Sequence, residues 1–264
     1  MMNRKINLSN FLLFLSLTLG YFLFLGCSTN SSQPIPKTSE IPITKNQKPL
    51  ETPALTTTAE DRKNAANLRQ LGLQYRQQEN YPKAIESLEK SVSLDSKNLS
   101  GLVLLGWTLH LAGKSPSAQQ TLEHALTINS QHIETLNALG IVYLVQGNLE
   151  QAIATHSKAV IINPNNEIAH YNLNLAYQRL QQYTKAIKHG QQAIKLEPHN
   201  PHPWVALAIT YWEMGDSKKS QETYRQAVNL DSRYRQVDFL SHLKKAGFSQ
   251  EQIKQTQKVL ESLF

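Results

Sequence analysis

The chain holds a single cysteine, Cys27, among 264 residues. One thiol forms no disulfide within the chain and cannot build a cysteine-ligated metal cluster. Long basic blocks are also missing: Lys218-Lys219 and Lys244-Lys245 are only pairs. That excludes the charge stripe with which proteins grip nucleic acid. The formal net charge is nevertheless +7. Spread through the chain, it weakly steers an acidic partner or an anionic lipid surface. No glycine-rich phosphate loop, G-x-S-x-G elbow or zinc-ligand spacing occurs. Nine histidines are present, but only His199 and His202 lie close together. No paired acid and no cysteine accompanies those two, so they read as an exposed loop rather than a ligand set. No catalytic residue, metal or cofactor is expected. A binding or structural role is the class that remains.

The first residues have a texture of their own. Arg4 and Lys5 precede an almost wholly apolar run over 11–26, and Cys27 follows at once. A positive n-region, an apolar h-region and a small residue, Gly26, before a cut describe an export signal. Sixteen residues at helical rise span about 24 Å, short of the roughly 30 Å hydrocarbon core, which favours cleavage over a permanent span. The Leu25-Gly26-Cys27 junction resembles the bacterial lipoprotein signal, although Phe24 and Leu25 depart from the preferred residues. The resemblance implies lipidation of Cys27 and a membrane-anchored protein of the bacterial cell envelope, facing outside the cytoplasm. An uncleaved anchor helix is the alternative. Residues 27–60 hold Pro34, Pro36, Pro42, Pro49 and Pro53 among many serines and threonines, and no apolar period survives there. They read as a disordered tether.

From Ala65 the sequence repeats every 34 residues, in windows 65–98, 99–132, 133–166, 167–200 and 201–234, without insertion or deletion. The seventh position is Leu71, Leu105, Leu139, Leu173 and Leu207; the eighth is Gly72, Gly106, Gly140, Asn174 and Ala208. The twentieth is Ala84, Ala118, Ala152, Ala186 and Ser220, and the thirtieth is always aliphatic. Each window carries two apolar-periodic stretches of helical length. Small residues at positions 8 and 20 let two antiparallel helices approach, and large ones fill the space between. One pair cannot bury its face alone, so the units must stack.

The pattern resembles the tetratricopeptide repeat (TPR). The resemblance implies an all-α superhelix, an α-solenoid of five helix-turn-helix repeats, that binds protein or peptide in a concave groove and catalyses nothing. In that family the first helix of each repeat lines the groove. The corresponding residues here include Arg69, Trp107, His110, Asn137, Leu144, Tyr171, Gln178 and Trp212, with Trp107, Tyr171 and Trp212 as aromatic anchors. The Lys and Arg elements of the family's carboxylate clamps are missing, so a chaperone-tail ligand is not expected.

Turn signals punctuate the array. Asn148 with Gln151 predicts a capping box, Ser115 before Pro116 predicts an N-cap, and Asn80 and Asp216 predict further caps. Repeat four carries Asn174 in a small-residue position and Gly190 inside a helix; repeat three carries His156 in a large-apolar position. These predict a softer middle or a local contact. Residues 235–264 are expected to form two short helices, split by Gly247, that cap the last repeat; a partner-docking helix is the alternative. The function expected is a membrane-anchored TPR scaffold supporting assembly or regulation of an envelope complex. The alternative is an assembly factor with an uncleaved anchor, like the TPR proteins that help build photosystem I.

Overall fold

The computed structural model describes residues 57–264. The expected signal over 1–26, Cys27 and nearly all of the 27–60 tether lie outside the described residues. The end of the tether does not. Thr58 caps a helix that starts at Ala59, so residues 58–60 belong to the folded part. The Thr58 hydroxyl accepts from the Asp61 amide at 3.0 Å, and the Thr58 amide donates to Asp61 Oδ2 at 2.9 Å. This reciprocal box satisfies two orphan donors and adds about a turn and a half before the first repeat window.

Ten helices form five antiparallel pairs: α1 (Ala59–Gln77) with α2 (Tyr81–Leu94), α3 (Leu99–Leu111) with α4 (Ser115–Ile128), and α5 (Ile133–Gln146) with α6 (Leu149–Ile162). Then come α7 (Glu167–Arg179) with α8 (Tyr183–Leu196), and α9 (Pro201–Glu213) with α10 (Ser217–Leu230). Two 3₁₀ segments, Ser232–Arg235 and Val237–Ala246, lead to α11 (Gln250–Glu261). No strand occurs among the described residues.

Pairing within a repeat rests on a small residue facing a large one. A Cβ at Gly72 would meet Leu88 Cγ at 2.7 Å, and one at Gly106 would meet Leu122 Cγ at 2.6 Å. In repeat three the filler is His156: a Cβ at Gly140 would meet its Nε2 at 2.5 Å. The ring is wholly buried. Burial pulls its pKa down to about 3, so it serves as a neutral packing group. Repeat four inverts the pair. Asn174 is the larger member, and Gly190 opposite makes room; a Cβ there would lie 3.1 Å from Asn174 Nδ2. That amide donates to the Ala186 carbonyl at 2.9 Å and to Thr210 Oγ1 at 3.1 Å. The two departures compensate each other, which is the local contact the sequence left open. In repeat five the corresponding large residue is Tyr224, fully buried, and its hydroxyl donates to the Tyr234 carbonyl at 2.8 Å. Serines in alanine positions find carbonyls: Ser91 donates to Ala65 O at 2.8 Å and Ser220 to Ala208 O at 2.9 Å.

The caps divide. Asn80 accepts from the Lys83 amide and Asp216 from the Lys219 amide, as expected. Asn148 makes no side-chain cap; its Nδ2 donates to Gln146 Oε1 instead. Ser115 is the first residue inside α4 rather than its cap, which is Lys114 with no capping side chain. Both helices follow a tight turn with a left-handed glycine, Gly113 (φ 75) and Gly147 (φ 87). Asp216 follows the same kind of turn, at Gly215 (φ 90), and does cap, so the turn alone does not decide whether a cap side chain is used. Over 237–246 the chain winds as a 3₁₀ segment, tighter than the helix expected, and Gly247 ends it at φ 87.

Candidate functional site

The first helix of each repeat carries the predicted groove residues, and the structure sorts them by their partners. At position 5 of the repeat, polar side chains reach across to the second helix or to the end of their own window. Arg69 reaches Ser91 Oγ at 3.4 Å and Asp95 Oδ2 at 3.9 Å. Asn137 is buried and exchanges two hydrogen bonds with Asn166, at 3.2 and 2.9 Å. Asn166 in turn caps α7 by accepting from the Ala169 amide at 3.1 Å. Asn137 is therefore a bracket between repeats three and four, not an accessible groove side chain. Each amide thus has its oxygen and one N–H engaged inside the protein.

Trp107, His110 and Trp212 are partly exposed, and Trp107 and Trp212 pack against the main hydrophobic cluster. The Trp107 and His110 rings lie 5.1 Å apart, and burial lowers the His110 pKa. Leu144, Tyr171 and Gln178 are covered by the chain's own C-terminal segment. The Tyr171 hydroxyl donates to the Ala246 carbonyl at 2.6 Å, and its ring lies 6.4 Å from that of Phe248. Gln178 Nε2 donates to Gln255 Oε1 at 2.9 Å and its Oε1 accepts from Gln252 Nε2 at 2.8 Å. Gln252 also reaches the Leu175 carbonyl at 3.2 Å. Leu144 is fully buried, and its Cδ2 lies 3.7 Å from where a Gly247 Cβ would be.

Residues 237–261 thus do two things. Leu240 and Leu243 close the end of the stack with Tyr234, as a cap must. α11 then runs back along α9 and α7, with Gly247, just before it, lying against Leu144 at the end of α5. Gln252 links the two tasks: its Oε1 accepts from the Ser249 amide in the capping box that starts α11. Sequence reading found the two short segments split by Gly247. It missed that Gln252, Gln255 and Thr256 are buried, because apolar periodicity cannot register a polar contact face.

Two histidine clusters lie off this face. His170 donates through Nε2 to the Pro164 carbonyl at 3.0 Å, so its Nδ1 accepts from His189 Nδ1–H at 2.9 Å. Burial, then the neighbouring His170, pulls the His189 pKa to about 4. His202 stands beside His242 with rings 5.6 Å apart, and burial, then His242, takes its pKa to about 4. The ring neighbours of His202 are thus His242 and Tyr234, from the C-terminal segment, rather than the His199 of the sequence pair. Among the described residues no three His, Cys, Asp or Glu side chains gather as a metal-holding group.

A family model described as the N-terminal TPR repeats region of Psidin matches residues 74–208, just over half of the chain. This chain is a tetratricopeptide-repeat protein. A second model, the tetratricopeptide repeat itself, matches residues 201–234, the fifth window. Among solved structures, residues 41 to the end of MamA from Desulfovibrio magneticus RS-1 align with a TM-score of 0.58 at 21% identity, covering 64% of this chain and 96% of that one. A thermophilic TPR protein of Thermus thermophilus aligns with a TM-score of 0.56 at 23% identity, covering 69% of this chain and 98% of that one. At such identity the likeness is one of fold. No curated protein matches the chain in sequence. TPR proteins are generally non-catalytic scaffolds that bind protein partners, and the α-solenoid described above is of that kind.

Proposed function

We propose that this TPR protein is a non-catalytic adaptor, anchored to a bacterial envelope membrane through a lipidated Cys27, that gathers partner proteins on its concave face to assemble or regulate a membrane complex. The observation that carries the binding part is the pair of partly exposed aromatic side chains, Trp107 and Trp212, on the first helices of repeats two and five, at positions that line the groove in this family. Tryptophans anchored on a rigid floor at low entropic cost are frequent binding hot spots. The anchor rests on the charged start, the apolar run and Gly26-Cys27, and no helix among the described residues is long and apolar enough to cross a membrane.

Two measurements test the two halves. Mass spectrometry of the membrane-bound protein should find a lipid-modified fragment beginning at Cys27. An unprocessed Met1 terminus would instead favour the uncleaved-anchor assembly factor. Capture of partners from membranes should be strong with the native chain and lost with Trp107→Ala, Trp212→Ala at equal helicity. Undiminished capture by that variant would remove the concave face from the function.

A further inference from the structure

The concave face of repeats three to five already holds a helix, and that helix belongs to this chain. Gly247 turns the backbone at φ 87, and α11 lays Gln252, Gln255, Thr256, Val259 and Leu260 against the repeats. Glu251, Lys254 and Lys258 point to solvent. Three of the five buried side chains are polar. A helix built only to complete a core presents aliphatic groups there; this one makes hydrogen bonds that water replaces at little net loss. Its contacts with α7 run through Gln178, which pairs with two glutamines at once. The hold combines these amide pairs with Val259 and Leu260, which sit in the main hydrophobic cluster, so its geometry is specific on both the polar and the apolar side.

We propose that the concave face of repeats three to five is a receptor for an amphipathic helix of a partner protein bearing the pattern Gln-x-x-Gln-Thr-x-x-Val-Leu on one side, and that residues 248–261 occupy it until such a helix displaces them. This deepens the adaptor function above and rests on it. Selectivity follows from Gln178. A competing helix with aliphatic side chains in place of the two glutamines buries that amide without partners, a penalty the native occupant avoids. Tyr171 adds a second fixed point by donating to the Ala246 carbonyl where the segment enters the groove. The outward face of α11 mixes both charge signs, so the site selects on amide and aliphatic chemistry rather than on charge.

The test uses the full chain in detergent and a labelled peptide spanning residues 247–264, read by fluorescence anisotropy. Val259→Asp with Leu260→Asp weakens the internal helix. It should tighten peptide binding by roughly tenfold or more, because the site is then more often vacant. Adding Gln178→Ala should erase that gain. Binding no tighter than to the native chain overturns the proposal. So does a native chain that runs as a dimer and crosslinks α11 to α7 of another copy, since the occupant is then a second copy. Hydrogen exchange on the native chain is independent of how the variant folds. Amides of 250–261 should exchange roughly tenfold or more faster than those of 201–213, through opening of α11 alone. Equal protection overturns the proposal. Failure to capture any protein from membranes counts against the adaptor function, whereas an unchanged peptide affinity counts only against the displaceable helix.

Discussion

His156 shows how one residue sets a property of the whole fold. Its ring fills the place taken by Leu88 and Leu122 in the first two repeats, and neither ring nitrogen has a hydrogen-bond partner among the described residues. Replacing a buried, unsatisfied polar group by an apolar one of similar shape is neutral or stabilising. His156→Leu should therefore raise stability at pH 7 by about 1 kcal/mol in urea unfolding. The larger effect is on pH dependence. The folded pKa, about 3, lies below the ordinary value of 6.5. Between those values the unfolded chain binds the proton and the folded chain does not. Stability is thus full above pH 6.5 and falls as pH drops, by about 1.4 kcal/mol per pH unit for this group. Urea midpoints at pH 7 and pH 5 should show the native chain losing more stability than His156→Leu. His189 and His202, both lowered to about 4, act in the same direction. Asn137 is a different case. Truncating it to alanine strands half of a buried amide pair and should cost about 1–3 kcal/mol, with no direct loss at a ligand contact.

At the scale of helices, the repeat-four inversion makes a prediction that simple family consensus does not. Gly190→Leu restores the consensus size at position 24 but collides with Asn174 and Leu207, already at 3.1 Å from a bare Cβ. Overpacking of that kind costs about 1–3 kcal/mol. Adding Asn174→Gly should recover much of that loss, giving a strongly non-additive double-mutant cycle by thermal unfolding. The caps offer a second comparison. Ser249→Ala removes a working capping box from α11 and should cost about 1 kcal/mol of local stability, seen as faster exchange over 250–261. Asn148→Ala should change little, because its side chain caps nothing.

At the scale of the molecule, each repeat leans mainly on its neighbours, so damage should stay near its source. Leu243 is fully buried where the 3₁₀ segment closes the stack. Leu243→Ala should cost about 2–5 kcal/mol at that end. Exchange should accelerate most in α9, α10 and α11 and least in α1 and α2. Uniform acceleration along the chain would mean that the array unfolds as one cooperative block. The same neighbour-only logic explains why the last repeat needs a cover. The structure supplies it with Tyr234, Leu240 and Leu243 rather than with another full helix pair.

The sequence by itself determined the array. A 34-residue period in residue size fixes where two helices can approach, and size is local information that needs no folded context. It also located the turns at Asn80 and Asp216, where the expected side chains cap, but not the caps at Thr58, Asn98, Asn166 and Asn200. Tertiary structure decided what period and size could not encode. It made Asn137 a bracket, because only folding brings it to Asn166, the residue that caps α7. It turned Asn174 and Gly190 from two departures into one fitted pair, because their contact crosses from helix to helix. Above all it placed residues 248–261 on the groove. Whether a short helix covers an open end or lies along an inner face depends on where its polar side chains find partners, and those partners, Gln178 and the Leu175 carbonyl, are more than seventy residues away along the chain.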